Sequence, residues 1–153
     1  MSIDKTFLHL NSEFRDDKMS EASNFIYTLP RTVHNVVAIR LHAIDALQVT
    51  NVKYDYLFLC LEDYNEYNDN EYLVCLDRKS LNKRVLGKIQ ITNDTNTGII
   101  SSDFTFDTNP RGRLFQQRRD LTRVHISLLD YNGDSVISSD FGLTLEIDIL
   151  NNL

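Results

Sequence analysis

Apolar side chains recurring at every second position constrain this chain more than any other feature. Leu143, Leu145, Ile147 and Ile149 alternate with Thr144, Glu146 and Asp148, and Val124, Ile126 and Leu128 alternate with His125 and Ser127. Upstream, Val37, Ile39, Leu41 and Ala43 alternate with Ala38, Arg40 and His42. A two-residue period sends successive side chains to opposite faces, so each stretch predicts an antiparallel strand with one dry face and one wet face. Arg40 and His42 fall on the wet face and should tolerate substitution, whereas a charge at Ile126 or Leu145 should prevent soluble folding. Shorter candidate strands are Phe7–Leu10, Phe25–Leu29, Tyr56–Leu61, Tyr72–Leu76, Lys88–Thr92 and Ile100–Phe106, for about nine in all.

The turn signals divide these strands. Pro30 has no N–H for a ladder and is expected to end its strand. Asn132-Gly133 sits between VHISLLDY and DSVIS and predicts a tight hairpin pairing the two. Residues 93–98 and 107–112 read as polar loops, and 78–86 as a short helix or turn. Long helical periodicity, internal repeats and linkers are missing from the sequence, and 153 residues fit one domain spanning 1–153. The fold class is therefore all-β, an antiparallel two-sheet sandwich closed around one core.

Charge narrows the partners. The net charge of −6 disfavours a nucleic-acid coat or a polybasic membrane binder. The first 77 residues carry −7 and the remainder +1, a polarity compatible with head-to-tail packing of subunits. No run of about 18 apolar residues is present, so no transmembrane segment is expected, and MSIDKTFLHLNSEF lacks the pattern of a secretory leader. Cys60 and Cys75 lie among apolar residues and read as buried reduced thiols, which suits folding in cytosol.

Residues that could carry chemistry are scattered. His9, His34, His42 and His125 show no paired metal-ligand spacing, and no nucleophile elbow, P-loop or dinucleotide-binding glycine motif occurs. No catalytic residue, cofactor or metal site is expected, and the chain does not read as an enzyme. Two charged segments remain. Glu62, Asp63, Tyr64, Glu66 and Tyr67 belong to an acidic stretch over 62–71 that reads first as an exposed hairpin tip, then as a partner-binding tip, and last as a calcium site. Arg111, Arg113, Arg118, Arg119 and Arg123 form a basic cluster that is a solvated loop, a salt-bridging subunit contact or a contact with packaged DNA, in that order. Only Phe115 interleaves with these arginines, so the aromatic platform of a single-strand binder is missing. The two segments would be complementary across a subunit contact.

The segments FLHLNSEFRD, SNFIYTLP and VVAIRLHAIDAL, followed downstream by LTRVHISLLDYNGD and FGLTLEIDIL, resemble penton and minor capsid proteins of large icosahedral double-stranded DNA viruses of eukaryotes. The resemblance covers both ends of the chain and little of residues 51–107. It implies a single jelly-roll of about eight strands, made in host cytoplasm and placed in the virion as a structural protein. It implies a homopentamer at the five-fold vertex, bordered by capsomers of the major capsid protein, without direct contact to nucleic acid. Another minor position in the same shell is the alternative, and a carbohydrate-binding jelly-roll using Tyr64 and Tyr67 is a further one. The lack of Trp, the usual sugar-stacking side chain, counts against the last.

Overall fold

The computed structural model describes residues 2–45, 47–49, 56–62, 75–76, 79–80, 85–92, 97–100 and 113–151. These residues are all-β apart from one 3-10 turn, Ser12–Phe14. The strands are β1 (Ser2–Asn11), β2 (Asn24–Asp45), β3 (Tyr56–Leu61), β4 (Cys75–Leu76), β5 (Lys79–Ser80), β6 (Val85–Thr92), β7 (Thr97–Ile100), β8 (Arg113–Leu129) and β9 (Gly142–Asn151). Seven of them form one antiparallel sheet in the order β1-β9-β2-β8-β3-β6-β7, and β4 pairs with β5. The expectation of an antiparallel all-β fold is met. The sheet, however, is continuous and curled into a half-barrel, because β2 serves both limbs.

Alternation builds this sheet as the sequence predicts. Val124, Ile126 and Leu128 on β8, and Leu143, Leu145 and Ile147 on β9, are fully buried in one core. Phe25 of β2 meets Phe141 edge to face at 5.8 Å between ring centres, closing the core near the start of β9. Each such side chain stabilises the fold by about 1.5–3 kcal/mol relative to exposure. β3 is apolar at every position because both its faces are covered. Leu57, Leu59 and Leu61 join the main core, while Phe58 and Cys60 pack with Val85 and Leu129 on the opposite face. Cys60 is accordingly a buried thiol; the side chain of Cys75 lies outside the described residues.

Five local expectations are corrected. Pro30 does not end a strand. β2 runs through it for 22 residues, and the missing N–H is absorbed by register shifts between Thr28, Val33, Val36 and Ala38. Those shifts also change which side chain faces inward, so Val36 is fully buried where the uninterrupted alternation assigns Val37. Asn132-Gly133 does form a turn, with Gly133 at φ 85°, but DSVIS contributes only two isolated bridges, Ser135 with Leu129 and Ser138 with Val49. Asp130 holds that turn by accepting from the N–H groups of Asn132 and Asp134. Within 78–86, Lys79–Ser80 and Val85–Leu86 are strand, and Thr97–Gly98 of the expected loop 93–98 belong to β7. Of the expected strands Tyr72–Leu76 and Ile100–Phe106, residues 72–74 and 101–106 lie outside the described residues, as does the loop 107–112.

Candidate functional site

Between β1 and β2 the chain makes a loop whose sequence, SEFRDDKMSEAS, has no strand rhythm and is held by its own polar groups. Arg15 is the hub. Its Nε donates to the Ser20 carbonyl at 3.0 Å, Nη1 to the Ser12 carbonyl and to Asp140 Oδ1 at 2.8 Å each, and Nη2 to the Lys18 carbonyl at 3.1 Å. A planar guanidinium can satisfy four acceptors in a fixed fan, which an ammonium group cannot. Buried serines anchor both ends. Ser12 Oγ donates to Asp140 and accepts from the Phe141 N–H, and Ser23 Oγ donates to the Val136 carbonyl. The fastened loop holds Phe14 and Met19 out to solvent, 63% and 93% exposed.

Beneath this loop lies a cleft of about 490 Å³. Asn24 and Ile26 of β2 with Arg123 and His125 of β8 form its floor, and Asp16, Asp17, Ser20 and Glu21 form its wall. Within the floor Ile26 lies opposite His125, and Arg123 lies opposite Thr28. His125 Nε2 lies 2.7 Å from Asn24 Oδ1, within hydrogen-bond distance. Asp16 spends both oxygens on Thr28, accepting from its N–H at 2.8 Å and its hydroxyl at 2.5 Å. Asp17 accepts from the Met19 N–H. Three carboxylates against one guanidinium make the cleft acidic, and the two exposed apolar side chains belong to the same loop. This arrangement suits a basic or mixed segment of a protein partner.

Just beyond the cleft floor sits the only described member of the acidic segment. Glu62 is half-buried at the end of β3, takes a hydrogen bond from Ser127 Oγ at 2.5 Å, and donates its N–H to the His125 carbonyl. Asp63, Tyr64, Glu66 and Tyr67 lie outside the described residues, as does Arg111. Arg113 opens β8, and Arg118 and Arg123 are exposed further along it. Arg119 is half-buried, opposite Val36. So the basic cluster is strand rather than loop over its described part, and Arg123 joins the cleft. The cleft was not visible in the sequence. Its only local signal is the run of Asp, Ser and Glu residues between two strands, which equally describes an ordinary turn.

The wet face of the other limb is also organised. Arg40 Nη1 lies 2.7 Å from Asp148 Oδ2 and 3.7 Å from Glu146 Oε2, and Lys5 Nζ lies 3.2 Å from Glu146 and 3.5 Å from Asp148. Asp148 is buried and Arg40 half-buried, so Arg40 is no freely replaceable surface residue, contrary to expectation. His42 is exposed and packs against Phe7. Among the described residues no group of three or more His, Cys, Asp or Glu side chains is placed to hold a metal ion, and no helix is long and apolar enough to cross a membrane. No protein-family model and no curated protein matches the chain.

Proposed function

We propose that this chain is a structural capsid subunit, a single jelly-roll occupying the five-fold vertex of a large double-stranded DNA virus. One observation carries the reading, the nesting of the strand pairs. Division of β2 at its irregularity gives a first part near residues 24–33 and a second near 36–45. The main sheet then has eight segments, wound as a hairpin folded on itself. β1 pairs with β9, the first part of β2 with β8, and β3 with β6. The second part of β2 lies beside β9, β3 lies beside β8, and β7 comes close to β2 while pairing with β6. A jelly-roll is wound in this order, and the reading assigns β1, β9, late β2 and β7 to one of its sheets and early β2, β8, β3 and β6 to the other, with the pairing of Val36, Ala38 and Ile39 to β8 keeping the two continuous.

Such a wedge suits assembly without chemistry. Five copies packed head to tail close a ring, since a heterologous contact closes when its rotation divides a full turn. The acidic cleft and the arginines of β8 supply complementary surfaces for that contact or for a bordering major capsid protein. Another minor position in the same shell uses the same surfaces.

Electron cryomicroscopy of particles carrying this protein tests the proposal. Five copies of the chain around a vertex are the expected result. Absence of the protein from purified particles overturns the reading.

A further inference from the structure

β1 stands at one end of the sheet order, and among the described residues no strand flanks its outer side. Proteins that remain apart guard such an edge with a short strand, a proline, a bulge or an inward-pointing charge. β1 has none of the first three, and its only charged residues are Asp4 and Lys5. It is ten residues long, contains neither Pro nor Gly, and pairs with β9 from Ser2 to Asn11 without a register shift. Ser2 to Phe7 are exposed on both faces of the strand, and Ile3 and Phe7 are 59% and 54% exposed. Its one lysine is drawn away from the edge, because the Lys5 ammonium group reaches inward over β9 to Glu146 and Asp148.

We infer that this edge is a self-association site, where β1 of a second copy pairs antiparallel about a two-fold axis at Lys5 and joins two sheets into one. The register follows from the side chains. Opposed residues of an antiparallel pair share a face, so the axis must pass through a residue position. Centred on Lys5, Ile3 meets Phe7 of the second copy and Phe7 meets Ile3, giving two apolar cross-strand pairs on the face where Phe7 already packs against His42. On the other face Asp4 meets Thr6 of the second copy, a carboxylate opposite a hydroxyl donor. The two lysines are also opposed, but each ammonium group is matched by its own carboxylates on β9. Centred on Asp4, the same strand opposes two carboxylates and sets Ile3 against Lys5. Centred on Thr6, it sets Phe7 against Lys5 and Leu8 against Asp4. The Lys5 axis alone pairs both exposed apolar residues with each other.

The pairing runs along the side of the molecule and does not rest on the capsid reading, whose ring contacts involve the cleft and the arginines. Sedimentation of the full chain with the variants I3D/F7D and K5C tests it. Both positions of the double variant are exposed, so circular dichroism and thermal melting should show that I3D/F7D keeps the fold. The expected results are a dimer of the native chain and self-association weakened at least about tenfold in I3D/F7D. Under glutathione disulfide, K5C should form a covalent dimer bridged at position 5, which the native chain treated in the same way does not form. A native chain that stays monomeric up to high micromolar concentration overturns the inference, as does a dimer that I3D/F7D leaves intact. A pentamer that survives I3D/F7D, with a K5C variant that never cross-links, supports the ring and overturns the edge pairing, so the two readings fail separately.

Discussion

At Arg40 the alternation of β2 places a guanidinium between two carboxylates of β9, and the neighbouring Asp148 is buried. Truncation leaves those carboxylates with only the more exposed Lys5. Arg40→Ala should therefore cost on the order of 2–4 kcal/mol in urea denaturation, well above a typical surface change. A second residue-scale prediction concerns Asp120, which accepts the Asn35 N–H at 3.2 Å and faces His34 Nδ1 at 3.2 Å. The Asn35 hydrogen bond first, then His34, holds the Asp120 carboxyl below its ordinary value. Because the folded value lies below the unfolded one of about 3.9, the clasp contributes stability above that pH and loses it as pH falls through the lowered value. The carboxylate is solvated, so the effect is small. A carboxyl-carbon NMR titration should place the Asp120 midpoint below those of ordinary aspartates, and Asp120→Asn should flatten the acid limb of the stability profile.

At the scale of elements, β2 decides the architecture, since its first part pairs with β8, Val36 to Ile39 pair with both β8 and β9, and its end pairs with β9. Asn35 sits at φ 61°, a conformation that glycine and asparagine adopt readily and β-branched residues resist. Asn35→Gly should be nearly neutral, whereas Asn35→Val should cost about 1–2 kcal/mol in chemical denaturation. This element also shows where the sequence was legible. The end of β8 and most of β9 were readable because Val124, Ile126 and Leu128, like Leu143, Leu145 and Ile147, are buried at every second position, and burial is what periodicity reports, whereas the arginine-rich start of β8 reads as loop. The continuity of β2 was not, because Pro30 is a sound stop signal unless a bulge absorbs its missing N–H, and the partner that stabilises that bulge, Asp120, is 85 residues away. The cleft was hidden for a related reason. Arg15, which fixes its wall, reaches Asp140 across 125 residues, and no local pattern encodes that contact.

On the scale of the whole molecule, the capsid reading makes charge decide what the chain can meet. The acidic excess of the first half includes Asp16, Asp17 and Glu21 on the cleft wall, and the arginines of β8 belong to the more basic half. In a head-to-tail ring every copy offers both surfaces, so one reversed charge is repeated at each contact. Arg118 is the position to change, because it is exposed, whereas Arg119 is half-buried and its reversal would disturb the fold as well. R118E should therefore keep the circular-dichroism spectrum of the native chain while lowering incorporation into particles. Added salt should reduce the difference between variant and native protein, since exposed charges are screened within about 8–10 Å. Equal incorporation of R118E at low salt would place the subunit contact elsewhere on the wedge, and the acidic cleft would then have to find its basic partner on the bordering capsid protein. Native mass spectrometry of capsomers assembled from a mixture of both chains distinguishes these cases. A contact through Arg118 depletes variant copies from five-membered rings, whereas a contact with the neighbour leaves the rings statistically mixed and weakens only their attachment.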